Sequence, residues 1–213
     1  MSKPIAIIGC GPGARSLLTI EAIDAVAAAD VIVGAPRVLA LFPDSQAERI
    51  TLDSNLAVVL DTIAKRRKRG AIAVLVTGDP GVHSLARPVI ERFGLENCRV
   101  IPGIGSVQLA LARLGLDATK TRILSAHHRL PDIDSAELTS FETIAILTGH
   151  ESAHPWIQSL AETLTNDYRI VLLSNLGLQN ECIEELTGIQ GGHRDPPRHT
   201  LSVVILTRRS DNT

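Results

Sequence analysis

The residues most able to do chemistry in this chain sit in three glycine-containing turns. Residues 5–13, Ile-Ala-Ile-Ile-Gly-Cys-Gly-Pro-Gly, run from an apolar stretch into three glycines and a proline. Thr77-Gly78-Asp79-Pro80-Gly81 and Pro102-Gly103-Ile104-Gly105-Ser106 follow later apolar runs in the same way. A buried strand that ends in such a turn and feeds a helix is where an α/β protein brings backbone N–H and C=O groups close to a ligand. One such turn alone is commonly just a chain reversal. Three on one sheet edge could line a site for a single flat polar ligand. The first turn also fits the loose dinucleotide pattern G-x-G-x-x-A through Gly9, Gly11 and Ala14. Pro12 speaks against a pyrophosphate there, because it removes a backbone N–H that a phosphate would use.

The elements that must hold these turns alternate. Strand-like runs rich in Ile and Val are expected at 4–10, 30–34, 71–76 and 98–102, with helices at 16–29, 54–68, 84–94 and 105–115. Strand, helix, strand, helix implies a mostly parallel sheet, with all three turns on its carboxyl edge. A second series is expected after Asp117-Ala-Thr-Lys120: strands at 121–126, 143–148, 169–174 and 201–207, and helices near 153–165 and 180–187. Fewer helices per strand make this second sheet a candidate for mixed pairing. Gly191-Gly-His-Arg-Asp-Pro-Pro-Arg-His199 reads as an exposed turn between two strands. The expected organisation is two α/β domains, 1–116 and 117–213.

Composition narrows the class. The chain has 213 residues, 45% hydrophobic and only 2% aromatic, so its core must rest on aliphatic side chains. That suits parallel strands buried on both faces. A formal charge of −2 gives no reason to expect nucleic acid as a partner. No run approaches the roughly 18–20 apolar residues that span a bilayer, and no leader is recognisable, so a cytoplasmic protein is expected. Cys10, Cys98 and Cys182 are odd in number and widely spaced, which suits neither a disulfide framework nor a zinc site. No metal is expected, since the i,i+4 pair His150 and His154 lacks a nearby third ligand and is followed by Pro155.

Nucleotide-phosphate readings do poorly. A dinucleotide unit wants an acid at the end of its second strand to hold the ribose. Here Val31-Ile-Val33 runs into Gly34-Ala35-Pro36, and Asp30 precedes the strand. No Gly-Lys-Ser/Thr follows any turn, so a P-loop is absent.

In order and spacing, Gly9-Cys-Gly-Pro-Gly13 with Leu17-Leu-Thr19, then Gly78-Asp79-Pro80 and Pro102-Gly-Ile-Gly-Ser106, resemble the tetrapyrrole (corrin/porphyrin) methylase family over about residues 5–207. Ser106–Gly115, Ser125-Ala-His-His-Arg129 and Ser174-Asn-Leu-Gly177 narrow the resemblance to the branch that methylates C5 of a corrin precursor of the cobalt-precorrin-7 or precorrin-6Y type in cobalamin (vitamin B12) synthesis. The resemblance implies two α/β domains, the first mostly parallel and the second mixed, with S-adenosylmethionine folded in the cleft between them and S-adenosylhomocysteine as product. It implies a polyanionic tetrapyrrole substrate, a homodimer, and a separate C15-methylating and decarboxylating enzyme, for which 213 residues leave no room. It places Pro12 over the adenosyl group, and Thr77, Gly78, Asp79 and Val82 along the methionine side. Gly105 and Ser106 would meet the amino-acid or ribose end. Leu147 and Thr148, with Gly149, would frame the adenine, and Leu176 and Gly177 would close that pocket. Ala14, Cys182 and His128 depart from the family pattern, where an acid, an arginine and a glycine are frequent.

Methyl transfer of this kind asks the protein for alignment and exclusion of water, so no triad and no single indispensable side chain is expected. Four side chains are candidates for a catalytic part. Asp79 could place the cofactor or simply cap a helix starting near Pro80. His83 could carry a proton, with a capping or surface role as the plain alternative. His127 and Arg129, with His128, follow strand 121–126 and could meet substrate carboxylates, or form a solvated polar loop. Lys65-Arg-Arg-Lys-Arg69 complements a helix C-terminus. Two other functions stay open at this level: a nicotinamide-dependent oxidoreductase, and a cofactor-binding regulatory member without transferase activity.

Overall fold

Short aliphatic runs stopped by glycine or a polar turn build the first sheet. The computed structural model describes residues 3–52, 55–82, 84–127, 129–164, 167–186 and 202–209. In it β1 (Ile5–Gly9), β2 (Val31–Gly34), β3 (Glu48–Thr51), β4 (Ile72–Val76) and β5 (Cys98–Ile101) form one sheet in the order β3-β2-β4-β1-β5. Every pairing in it is parallel, with Gly9 beside Val76 and Ile8 beside Ile101.

The period-2 alternation of a strand splits these aliphatic runs between two faces. Ile5, Ile7, Val31, Val33, Val74 and Val76 pack on one face with Val59 and Ile63 of α3 (Leu56–Arg66) and Val89 of α4 (Ala86–Phe93). Ile8, Ile32, Ala73 and Leu75 pack on the other with Ala22 and Val26 of α1 (Ile20–Ala27) and Val38 and Leu39 of α2 (Pro36–Leu39). Thr19 caps α1, its hydroxyl accepting from Ala22 N at 3.1 Å.

Two elements of this sheet were not expected. β3 reads Glu-Arg-Ile-Thr and is largely exposed, because an edge strand has one neighbour and needs no apolar run. α2 is a single turn begun by Pro36. The expected helix at 16–29 is shorter, since residues 15–17 form a separate 3-10 turn and α1 starts only at Ile20.

The chain divides into two compact units, Met1–Gly105 and Ser106–Thr213, with the 116–120 segment lying inside the second. The second unit carries α5 (Ser106–Leu114), β6 (Thr121–Ala126), α6 (Ser135–Leu138), β7 (Thr143–Thr148), α7 (Ala153–Leu164), β8 (Tyr168–Ser174), β9 (Cys182–Leu186) and β10 (Ser202–Arg208). Its sheet runs β6-β7-β10-β8-β9, with β6 and β7 parallel and the remaining pairs antiparallel. Leu124, Ile144, Ile146, Ile170, Leu172, Val204 and Leu206 pack against Ile157, Leu160 and Leu164 of α7. The single tyrosine, Tyr168, is buried with its hydroxyl donating to the Phe141 carbonyl at 2.6 Å.

The helix expected at 180–187 is a correction. Cys182-Ile-Glu-Glu-Leu186 is strand β9, paired antiparallel to β8 from Cys182 opposite Ser174 to Leu186 opposite Ile170. Glutamates favour helix, but an open strand edge overrides a weak local preference. The turn at 191–199 and position 201 lie outside the described residues.

Candidate functional site

Parallel pairing sets the carboxyl ends of β1, β4 and β5 side by side, so the three turns start from neighbouring positions. The connectivity then forces two of them to cross. From β1 the chain must reach β2, beyond β4; from β4 it must reach β5, beyond β1. The outgoing backbones meet at Gly11 and Gly78, where Gly78 N donates to Gly11 O at 2.8 Å and Gly11 N to Gly78 O at 3.3 Å. A Cβ built on Gly9 would lie 2.5 Å from Gly103 N and 2.8 Å from Gly78 O. One on Gly103 would lie 2.5 Å from Gly78 O and 2.6 Å from Gly9 C. Gly9 and Gly103 are therefore glycines because backbone occupies the space a side chain would need.

Asp79 straps the second turn to the third. One carboxylate oxygen accepts from Gly81 N at 2.8 Å and the other from Gly103 N at 3.2 Å. It does not cap a helix at Pro80, because α4 begins only at Ala86, where Ser84 Oγ accepts from Ala86 N. Val82 follows with its side chain 41% exposed and its N–H donating to the Asp79 carbonyl. Pro12, Gly78 and Gly105 are buried, Thr77 is exposed, and Ser106 begins α5. Cys10 is fully buried, and that burial pushes its thiol up to about 12, so it stays a neutral packing group. Cys98 is only partly buried and Cys182 is exposed.

Arg37 stands out in no sequence pattern, although it lies three residues beyond β2 on the same edge. Its guanidinium donates to Thr77 Oγ1 at 3.1 Å. The signal was available in Gly34-Ala35-Pro36-Arg37, but a four-residue helix leaves no periodicity to draw attention to it. Asp30, the only acid flanking β2, lies at the opposite edge and accepts from Ala71 N at 2.7 Å. It cannot hold a ribose at the carboxyl ends, which removes the acid that a nicotinamide site would need.

In the second unit, Leu147 and Thr148 end β7 and Gly149 follows. The buried Thr148 hydroxyl pairs with Ser202 Oγ at 2.5 Å and donates to the Ser202 carbonyl at 2.9 Å. The Thr148 carbonyl accepts from His127 Nδ1 at 3.1 Å, so that ring nitrogen carries a proton. A Cβ at Gly149 would run into that imidazole ring. Arg129 is exposed; His83 and His128 lie outside the described residues. His150 Nδ1 accepts from Ser152 N at 3.1 Å, ahead of α7. Among the described residues, no group of three His, Cys, Asp or Glu could hold a metal ion.

Leu176 is buried in a tight turn between Asn175, with φ of 53°, and Gly177, with φ of 78°. Gly177 N donates to Glu181 Oε2 at 2.7 Å, and Arg113 Nε donates to Glu181 Oε1 at 2.6 Å. The Arg113 guanidinium first, and then the Gly177 N–H, hold the Glu181 carboxyl below the usual carboxylate range. Nothing in the spacing of Arg113 and Glu181 announces this strap.

A family profile described as Tetrapyrrole (Corrin/Porphyrin) Methylases matches residues 4–188, which include all three turns and their strands. The chain belongs to this family. Among the relatives of this tetrapyrrole methylase is a cobalt-precorrin-7 C(5)-methyltransferase of Salmonella typhimurium, 32% identical over 183 residues, covering 85% of this chain and 90% of the relative. The crystal structure of a precorrin-6Y methylase of cobalamin biosynthesis from Archaeoglobus fulgidus superposes with a TM-score of 0.72 at 27% identity, covering 97% of this chain and 99% of the other. A uroporphyrin-III C-methyltransferase from Thermus thermophilus, solved in complex with S-adenosylhomocysteine, shares the fold at 18% identity with a TM-score of 0.69, covering 96% and 97% of the two chains. The parallel first sheet and mixed second sheet of this tetrapyrrole methylase are thus the fold of its relatives. Among its described residues, no helix is long and apolar enough to cross a membrane.

Proposed function

We propose that this tetrapyrrole methylase transfers a methyl group from S-adenosylmethionine to C5 of a corrin-ring precursor of the cobalt-precorrin-7 or precorrin-6Y type, in cobalamin biosynthesis. The likeness to the Salmonella C(5)-methyltransferase, which runs along nearly the whole of both chains, carries this reading. The turn chemistry supports it. Pro12 withholds an N–H from any phosphate, and no lysine stands at the end of any of the three turns. A first turn lacking that donor suits a cofactor without phosphate. An added Cβ at Gly78 would meet only Gly105 Cα, at 3.8 Å, so that glycine is not filled by neighbouring backbone as Gly9 and Gly103 are.

When bound, S-adenosylmethionine supplies an electrophilic methyl group, which the electron-rich ring carbon takes as S-adenosylhomocysteine leaves. The chain's part is to bind, align and exclude water. We assign Pro12 to the adenosyl side, and Thr77, Gly78 and Val82 to the methionine side. Gly105 and Ser106 are assigned to the amino-acid or ribose end. Asp79 serves by locking the second turn to the third. From the second unit we assign Leu147, Thr148, Leu176 and Gly177 to the adenine. Thr148 would act through packing, because its hydroxyl and carbonyl are already committed to Ser202 and His127. His127 and Arg129 are the candidates to meet the carboxylates of a polyanionic substrate. We further propose a cytoplasmic homodimer working beside a separate C15-methylating enzyme.

The test is mass spectrometry of metal-free and cobalt-bearing C5-unmethylated precursors incubated with the protein and S-adenosylmethionine. One added methyl group, at C5 by NMR, is the expected result. Calorimetric binding of NADH without binding of S-adenosylhomocysteine would overturn the reading in favour of a nicotinamide enzyme. Binding of S-adenosylhomocysteine with no methyl gained by either precursor would leave a regulatory protein. Analytical ultracentrifugation checks the dimer.

A further inference from the structure

The glycine crossing lies at β4 and β1, but the connectivity opens a different place. β2 leads outward to β3, whereas β4, its neighbour, leads the other way to β5. Chains that leave adjacent carboxyl ends in opposite directions part there, and ligands of open α/β sheets bind at such a switch point. Arg37 spans it. Its stem rises from the turn after β2, and Nη2 reaches across to Thr77 Oγ1, one residue past the end of β4, at 3.1 Å.

Several other arginines of the first unit are already partnered. Arg15, Arg66 and Arg99 pair with Asp44, Glu48 and Glu21, and Arg49 donates to the carbonyls of Leu39 and Phe42. Arg37 donates to one neutral hydroxyl, and among the described residues no carboxylate lies within ion-pair distance of it. Arg37 is exposed, and packing against part of it lowers its guanidinium pKa. A partly desolvated, anchored fork with spare N–H donors is matched in shape and charge by a carboxylate.

We propose that Arg37, held by Thr77, binds a carboxylate at the β2–β4 switch point. This rests on the methyltransferase reading, which offers two sources of that group: the methionine end of the cofactor and the acetate or propionate arms of the tetrapyrrole. Thr77 then acts as a positioning residue that keeps the guanidinium across the gap.

The experiment is calorimetry on wild type, Arg37→Met and Arg37→Lys. The probes are S-adenosylhomocysteine, methylthioadenosine (which lacks the amino-acid carboxylate) and cobyrinic acid, a corrin bearing carboxylate arms. Arg37→Met keeps much of the stem's packing and removes the charge. If the cofactor supplies the carboxylate, Arg37→Met weakens S-adenosylhomocysteine by about tenfold or more and leaves methylthioadenosine unchanged. If the substrate supplies it, both nucleosides bind as before and cobyrinic acid weakens by about that factor. Arg37→Lys should recover part of the loss, and Thr77→Val should move the same probe by a smaller factor. Unchanged binding of all three probes to Arg37→Met overturns the proposal. So does a parallel loss of all three with a lowered melting temperature, which would make Arg37 a purely structural residue. Wild-type protein that binds neither S-adenosylhomocysteine nor cobyrinic acid overturns the methyltransferase reading itself, and this assignment with it.

Discussion

Gly103→Ala puts the crossing of the first-unit turns to the test. The new Cβ would sit 2.5 Å from Gly78 O, 2.6 Å from Gly9 C and 2.7 Å from Gly9 O. Optimal carbon contacts lie near 3.5–4.0 Å, so each of these is about 1 Å too close. All three neighbours are backbone, tied into β1 and the Gly11–Gly78 bridge, and no rotamer change can move them aside. Overpacking of a tight site costs about 1–3 kcal/mol, and a purely backbone clash belongs at the upper end. Restricting the unfolded chain returns roughly 0.4–1 kcal/mol, leaving a net loss of about 2–3 kcal/mol. For a chain of this length that lowers the melting temperature by about 4–12 °C. Gly81→Ala is the control from the same region. Its Cβ would meet only the Asp79 carboxylate oxygen, at 3.0 Å, and its cost should stay within about 0.5 kcal/mol. Thermal and urea melts followed by circular dichroism read both. Equal melting temperatures for the two variants, or a loss below about 1 kcal/mol for Gly103→Ala, would show that the turns are not packed backbone to backbone.

Asp79→Asn keeps one acceptor and loses the other, so the third turn should loosen at a cost of about 1–2 kcal/mol, with weaker S-adenosylhomocysteine binding by calorimetry. Wild-type melting with unchanged affinity would leave the strap without a role. Glu181→Gln should lose about 1 kcal/mol at neutral pH, the worth of one charge-assisted bond to backbone at Gly177 N. The folded-state pKa of Glu181 is depressed, so its contribution is present above the unfolded carboxylate pKa and is lost as pH falls through the folded value. The gap between wild type and variant in urea melts must therefore close on acidification; a gap that widens would mean the sign is wrong. In thiol titration of the native protein, Cys182 should react quickly, and Cys10 only after denaturation. Fast labelling of Cys10 would contradict its burial.

The two sheets and the three turns were legible because the relevant forces are local. Aliphatic runs such as Ile72–Val76 need burial on both faces, and a glycine after each one marks where the chain can turn. β3 and β9 were not legible for the opposite reason. As edge strands they are exposed along most of their length, so Glu48-Arg-Ile-Thr and Cys182-Ile-Glu-Glu-Leu carry no apolar alternation. The sequence pointed to three turns that the sheet sets side by side, but not to what each residue does in them. Asp79 finds Gly103, 24 positions away, and Arg37 finds Thr77, 40 positions away. Such pairings depend on the order of strands in the sheet, and no spacing within one turn encodes it.

Strand order also changes what the glycines mean. In a dinucleotide-binding turn, a glycine lets backbone approach a pyrophosphate. Here the nearest atoms to the missing side chains of Gly9 and Gly103 belong to other turns of the same chain. Those two positions are consumed by the crossing of β1 and β4, and they would be needed whatever ligand the edge received. On the proposed methyltransferase reading, selectivity is assigned to residues that flank the crossing and keep a surface of their own: Thr77, Val82 and Arg37. Of these only Arg37 carries charge. A proline-closed turn and a lone guanidinium two strands from β1 suit a ligand whose neutral part lies over the crossing and whose carboxylate is held at the gap beside it. A pyrophosphate would need the reverse arrangement, with its charge over the glycines, and there Pro12 offers it no donor.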